Sequence, residues 1–240
     1  RGRNTAALMS VDLTSGDKKI IFEDPRADLS AIMIHPTERT IEAAASNYTR
    51  TEWTILDESI QSDIDYLNTV TDGELSVGSR TLDDKFWTVV YVLDDGPVQY
   101  YLYDRSKKEA KFMFTNREEL KDKKLSKMHP VIIKSRDGMD LISYLTLPFW
   151  TDTDNDARPD KALPMVLFVH GGPWARDSWG YHSYHQWLSN RGYAVLSVNY
   201  RGSTGFGKDF INAGNLEWAA KMHDDLIDAV NWTIEQGIAD

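Results

Sequence analysis

The 240 residues contain no cysteine. That absence removes a disulfide framework, a thiolate nucleophile and a thiolate metal site from consideration. It says nothing about compartment. Long apolar runs are missing too, so no segment reads as a bilayer-spanning helix. Positive charge is in deficit: 27 Lys and Arg against 37 Asp and Glu give a formal net charge of −10, with no basic stripe. Nucleic acid and membrane surfaces are therefore not expected partners. The amino terminus, Arg1-Gly2-Arg3-Asn4-Thr5, has neither a starting Met nor a signal-peptide core. It runs into Ala6–Val11, which reads as a strand already under way, so both ends are expected to be cuts through a longer protein.

What is present falls into two unlike halves. Residues 1–115 alternate β-branched and aromatic residues between turn signals such as Thr14-Ser15-Gly16-Asp17, Asp72-Gly73 and Asp95-Gly96-Pro97. An internal repeat runs through them. Val11-Asp12-Leu13-Thr14-Ser15 before Ile20-Ile21-Phe22 matches Tyr103-Asp104-Arg105-Ser106-Lys107 before Phe112-Met113-Phe114, 92 residues on. A weaker copy at Leu56-Asp57-Glu58-Ser59 divides that interval into steps of 45 and 47. Each unit reads as an apolar strand, a turn opened by Asp, and a second apolar strand. The period suits a four-stranded propeller blade, and two to three blades are expected. Trp53, Tyr66, Trp87, Tyr91, Tyr100 and Tyr101 are expected in the core between them.

Residues 116–129 are charged, with Leu120 and Leu125 interspersed, and read as a linker helix. Lys121, Lys123, Lys124 and Lys127 alternate with acids and are expected on its solvated face. Glu118-Glu119 fits a solvated face better than an amine-binding site. From 130 onward the pattern changes. A hairpin over Val131–Pro148 turns at Arg136-Asp137-Gly138. The next stretch, Asp152-Thr153-Asp154-Asn155-Asp156, invites a calcium-loop reading. Ala157 replaces the glycine and Leu163 the bidentate glutamate of an EF-hand, so a polar insertion with weak adventitious cation binding is expected. A buried strand follows at Pro164–Val169. An amphipathic segment around Ser183–Asn190 places Tyr184, Trp187 and Leu188 on one side. Tyr193–Tyr200 reads as another buried strand, Arg201–Gly207 as a flexible loop, and a long helix carries Ala219, Met222, Leu226, Ala229, Val230 and Thr233, closing at Gly237. Hairpin, strand, helix, strand, helix is the opening of an α/β-hydrolase sheet.

The chemistry concentrates at His170-Gly171-Gly172-Pro173. Two glycines at the carboxyl end of a parallel strand present bare backbone N–H groups where open α/β sheets bind ligands. Acyl transfer needs such donors for the oxygen that becomes negative. Pro173 has no N–H, which makes Gly172 the first candidate donor and Gly171 the second; a plain strand-to-helix turn is the alternative. His170 precedes any nucleophile elbow, whereas the base follows it in this fold, so His170 is expected to support the loop. Arg201, at the end of its strand, either clamps a substrate carbonyl or carboxylate or pairs with a buried acid. His182 and His185 lack a third metal ligand and are expected at the surface or substrate rim. Asp224 and Asp225 are expected to anchor their helix through salt bridges or loop contacts. No Gly-x-Ser-x-Gly nucleophile elbow occurs in the chain.

The string PMVLFVHGGPWARD (164–177), then YAVLSVNYRGSTGFGKDF (193–210), then KMHDDLIDAVNW (221–232), closely resembles the prolyl oligopeptidase family of serine peptidases, nearest its acylaminoacyl-peptidase and dipeptidyl-peptidase branch. RDGMDLISYLTLP (136–148) fits the family's entry into its hydrolase domain. The resemblance is strong over 130–240 and architectural only over 1–115. It implies a mixed fold: a partial β-propeller at 1–115, a linker helix at 116–129, and the N-terminal part of an α/β-hydrolase domain at 130–240. It implies a serine peptidase that cleaves short peptides without cofactor or metal. Gly172 matches the family's oxyanion-loop glycine, Arg201 lies in its loop beside the substrate, and Tyr200 and His170 accompany them. The family's Ser, Asp and His fall beyond Asp240, so the chain alone is expected to be inactive. An esterase-type hydrolase and a non-catalytic homologue are the competing readings.

Overall fold

Thirteen strands and four α-helices make up the computed structural model, which describes residues 2–240. The first hairpin pairs β1 (Leu8–Val11) with β2 (Lys18–Phe22). A three-stranded antiparallel sheet follows: β3 (Leu29–Ile34), β4 (Ile41–Asn47) and β5 (Thr51–Ile55). The third sheet is a four-stranded meander of β6 (Glu74–Arg80), β7 (Phe86–Val92), β8 (Gln99–Asp104) and β9 (Glu109–Thr115), in that spatial order. These three sheets are propeller blades, one complete.

The repeated aspartate does the same work in each copy. Asp12 Oδ1 accepts from the Thr14 and Ser15 amides, both at 2.8 Å. Asp57 accepts from Ser59 N at 2.9 Å, and Asp104 from Ser106 N at 3.0 Å. A short carboxylate closes the turn on its own following backbone; those bonds hold the Asp12 and Asp57 carboxyls below their ordinary pKa, and the Ser106 hydroxyl, with Lys107, does the same for Asp104. After Asp57, however, the expected second strand is α1 (Gln61–Leu67), entered through a 3-10 turn. Ile60, Ile64 and Leu67 recur at helical spacing and are buried against Trp87, Tyr91 and Tyr103. Trp87 and Tyr91 are core as expected; Tyr100 instead stacks on the half-exposed Phe114.

The linker helix does not form. Only Glu118–Leu120 makes a 3-10 turn, Lys121 is already extended, and Asp122 is left-handed at φ 65°. Eight charged residues with two leucines in a stretch of twelve, Asn116 to Lys127, leave too little apolar face to offset helix nucleation. Lys127 does not sit on a solvated helix face: it reaches Asp95 at 2.9 Å and Asp72 and Asp94 at 3.5 Å.

The last sheet contains β10 (Met128–Lys134), β11 (Asp140–Thr146), β12 (Met165–Phe168) and β13 (Ala194–Val198), in the order β10-β11-β13-β12. β10, β11 and β13 pair antiparallel, whereas β12 and β13 are parallel. The crossover from β12 to β13 carries α2 (Ser183–Ser189); α3 (Lys208–Asn212) and α4 (Lys221–Glu235) follow. This is the opening of an α/β-hydrolase sheet. Ile238–Asp240 return to the outer side of β12, where Leu163 N donates to Ile238 O at 2.9 Å and Asp240 N to Leu163 O at 3.2 Å.

α4 buries Met222, Asp225, Ala229 and Thr233, close to the expected stripe, but Ala219 lies ahead of the helix at φ 54°. α2 departs further. Its buried residues are His185, Gln186 and Ser189, while Tyr184 and Trp187 are exposed. The reason is a polar seam beneath it. Gln186 bonds both Ser126 (N to Oε1, 2.9 Å) and Asp94 O (from Nε2, 3.2 Å), and His185 lies between Thr146 and Ser197.

Candidate active site

β12 ends at Phe168, and after Val169 and His170 the chain reaches the double glycine. Gly172 has φ 138°, and a Cβ there would lie 2.6 Å from Trp174 N. Only glycine fits that close approach. A cis peptide bond joins Gly172 to Pro173. Ala175 N returns to Pro173 O at 2.8 Å, but the Gly171 and Gly172 amides find no acceptor among the described residues. They stand at the carboxyl end of the parallel pair, on the same edge as Tyr200 and Arg201 from β13. Beside them lies a largely apolar cavity of about 390 Å³, walled by Gly172, Pro173, Tyr200, Trp218, Met222 and Leu226.

The other residues singled out from the sequence gather around this loop. His170 stacks on Tyr200, ring centroids 4.8 Å apart, with its Nδ1 3.0 Å from Gly171 O and its Nε2 3.0 Å from Ser203 Oγ. Tyr200 donates its hydroxyl to His170 O at 3.0 Å. Burial raises the Tyr200 phenol above its ordinary pKa, with the Asp177 charge adding to the effect. Arg201 is 3% exposed. Its Nε and Nη2 bind the two oxygens of Asp225 at 2.9 and 2.7 Å, and Nη1 and Nη2 bind Asp137 at 2.9 and 2.8 Å. Asp225 is wholly buried, while its neighbour Asp224 meets Arg136 at 3.2 Å on the surface. Hydrogen bonds from Arg201 and Ser135 hold the Asp137 carboxyl well below the usual carboxylate range.

Two of the histidines differ from expectation. His185 is buried, not at a rim: Nδ1 lies 2.9 Å from Thr146 Oγ1 and Nε2 2.8 Å from Ser197 Oγ. Burial pushes its pKa down to about 3, helped by His182. His182 is half-buried, caps α2, and is itself lowered by burial against the opposing pull of Asp177.

Three positioning residues escaped the sequence reading. Arg176 reaches across to the propeller side, donating to Asn47 O at 2.8 Å, Asn47 Oδ1 at 3.1 Å and Tyr48 O at 3.2 Å. Asp177 and Asn199 exchange bonds, Asp177 N to Asn199 Oδ1 at 2.8 Å and Asn199 Nδ2 to Asp177 O at 3.1 Å. Burial raises the Asp177 carboxyl, opposed by His170 and His182. All three lie inside the strings that carry the family resemblance; nothing in their local pattern named their partners. The loop expected to be flexible, Arg201–Gly207, is also tied down. Asp28 N donates to Gly205 O at 2.9 Å, and Lys208 N to Asn4 O at 3.1 Å.

Comparisons with known proteins agree with this architecture. The model of the prolyl oligopeptidase family matches residues 179–240. Dipeptidyl aminopeptidase BIII of Pseudoxanthomonas mexicana is 53% identical over 99% of this chain and 34% of its own length. Dipeptidyl peptidase family member 6 of Caenorhabditis elegans is 38% identical over 92% of this chain and 32% of its own. The chain thus spans about a third of the length of the curated relatives it matches. Among solved structures, a puromycin-hydrolyzing peptidase of Mycobacterium tuberculosis superposes with a TM-score of 0.71 at 18% identity, over 99% of this chain and 36% of that one. Dipeptidyl peptidase 4 of Porphyromonas gingivalis gives 0.69 at 16%, over 99% and 33%. The chain belongs to the prolyl oligopeptidase family of serine peptidases.

Proposed function

We propose that this chain is the part of a serine peptidase that carries the oxyanion loop, and that the whole enzyme hydrolyses short peptides through an acyl-enzyme. One observation carries the reading: two glycine amides without acceptors among the described residues stand at the carboxyl end of β12, and Gly172 lines an apolar cavity. When a serine oxygen adds to a peptide carbonyl, the π electrons move onto oxygen. A preorganised N–H aimed at that oxygen stabilises the tetrahedral species more than the ground state. Gly172 supplies the first such donor and Gly171 the second. Pro173 contributes shape but no proton. The cavity beside Gly172 receives an apolar part of the acyl group.

His170, Tyr200 and Arg201 act as positioning residues in this reading. His170 and Tyr200 brace the Gly171 carbonyl side of the loop, and Arg201, with both acids filling its guanidinium, fixes the β13 end. Nucleophile, acid and base come from outside these 240 residues. The names of the two dipeptidyl-peptidase relatives support a peptide substrate. The test compares dipeptide and longer peptide anilides with short acyl esters on the protein that joins this chain to a serine elbow. Faster turnover of the anilides is expected; turnover of esters alone would move the assignment to an esterase. The 240-residue chain itself is expected to take no label from a fluorophosphonate probe, and stoichiometric labelling would sink the proposal.

A further inference from the structure

The β11–β12 connection holds three carboxylates that the peptidase reading does not use. Asp152, Asp154 and Asp156 each bring one carboxylate oxygen to within 4.8 Å of the others. Two oxygens on opposite sides of one calcium ion, bound at roughly 2.4 Å, are about 4.8 Å apart, so all three can ligate a single ion. Acidic clusters on a loop are common, and Asp154 and Asp156 are exposed. Asp152 is different. Its side chain is 3% exposed, Oδ2 lies 2.7 Å from His129 Nε2, and Oδ1 is buried with no hydrogen-bond partner. A buried carboxylate oxygen without a donor, beside two further carboxylates, calls for a cation.

Among the described residues no lysine or arginine fills that role, and His129 meets only the Oδ2 of Asp152. Lys123, Lys124 and Lys127 line the same cavity as Asp152 and Asn155, yet Lys127 pairs with Asp72, Asp94 and Asp95, and among the described residues none of the three forms an ion pair with these carboxylates. Arg158 turns instead to Gln236 Oε1 at 3.2 Å. The contrast is the other acidic group, His35, Glu42 and Asp84. There Arg80 bonds both Glu42 and Asp84, and Arg105 bonds Asp84, so its charge is already met.

We propose that Asp152, Asp154 and Asp156 bind one calcium ion, with His129 as the outer partner that orients Asp152. The hard oxygen donors and the exposed loop suit calcium, which tolerates irregular geometry and completes its shell with carbonyls and water. The spacing is that of positions 1, 3 and 5 of an EF-hand loop. Ala157, at position 6, adopts the left-handed φ of 65° that glycine usually supplies. With Leu163 in place of the bidentate glutamate, the affinity belongs with the weak extracellular class, Kd about 10⁻⁴–10⁻³ M. The ion would clip the β11–β12 connection to β10 through Asp152 and His129.

The test is terbium luminescence on the chelator-stripped chain, sensitised by the nearby Trp150, with displacement by calcium chloride. Calorimetry with calcium chloride then gives the stoichiometry. One saturable equivalent per chain is expected, accompanied by a calcium-dependent rise in the thermal midpoint. Both should vanish in the Asp154→Asn/Asp156→Asn double variant, whose exposed positions leave the fold intact. His129→Gln should weaken affinity about 10–100-fold, as loss of an outer-shell partner does. Absence of saturable binding to the parent chain, or unchanged binding in the double variant, would overturn the proposal.

Discussion

Arg201 grips Asp225 with two side-chain bonds, Nη2 to Oδ1 at 2.7 Å and Nε to Oδ2 at 2.9 Å, and its own backbone N–H adds a third at 2.9 Å. The acid comes from α4 and the arginine from the end of β13, so this one pair fixes the helix to the strand beside the glycine loop. Both side chains are buried, at 3% and 0% exposure.

Removing the buried acid should therefore be costly. Asp225→Ala strands a buried guanidinium with only Asp137 for company, and breaking such a pair typically costs about 3–5 kcal/mol. Urea denaturation of the chain should show that loss. Asp137→Ala, on the 40% exposed side of the same guanidinium, should cost within about 1 kcal/mol. Equal losses would mean the helix anchor has been misjudged.

Acid should unfold the chain through His185. Its folded pKa, pushed down to about 3, lies below the ordinary value of 6.5. Between those values the unfolded chain binds a proton that the folded chain refuses. Stability is thus complete above about pH 6.5 and falls as the pH drops through that window, by at most about 1.4 kcal/mol per pH unit for one group. His185→Gln keeps a polar side chain between Thr146 and Ser197 but has no proton to take up. Its denaturation midpoint should change less with pH between 6.5 and 4 than that of the parent. Parallel curves would remove His185 from the explanation.

The parts legible in the sequence were those set by local chemistry. The Asp-opened turns at 12, 57 and 104 depend on a carboxylate and the next few amides, and all three formed. The apolar runs before Gly171 and Asn199 became β12 and β13, with Ser197 the single polar residue in either strand. Long-range pairing was opaque. Nothing near Arg201 announces Asp225, and nothing near Arg176 announces Asn47, 129 residues away. α2 misled for the same reason: its aromatic face looked like the buried one, but the surface beneath it offers Thr146, Ser197 and Asp94. The charged stretch at 116–129 misled in the opposite sense, since Lys127 spends its charge on Asp72, Asp94 and Asp95 instead of on a helix face.

Arg176 should hold the glycine loop to the propeller side. Three of its bonds cross to Asn47 and Tyr48, and its guanidinium lies 4.3 Å from the Phe206 ring centroid. Arg176→Ala deletes all of these while leaving Gly171–Pro173 chemically unchanged. Hydrogen exchange should speed up in residues 171–177 and 47–49 together. Faster exchange in only one of those segments would show that the arginine does not couple them.

Gly172→Ala tests the oxyanion assignment most directly. The added Cβ would meet Trp174 N at 2.6 Å and Ala175 N at 3.2 Å, at a φ of 138° that alanine does not adopt readily. The loop must move, and the Gly172 N–H moves with it. In the protein that joins this chain to a serine elbow, kcat should fall about 10²–10³-fold, the usual loss for one oxyanion donor. KM should change far less, because the donor acts on charge that develops only in the transition state. A variant that lost affinity while keeping kcat would turn Gly172 into a substrate-binding glycine and leave Gly171 as the remaining candidate donor.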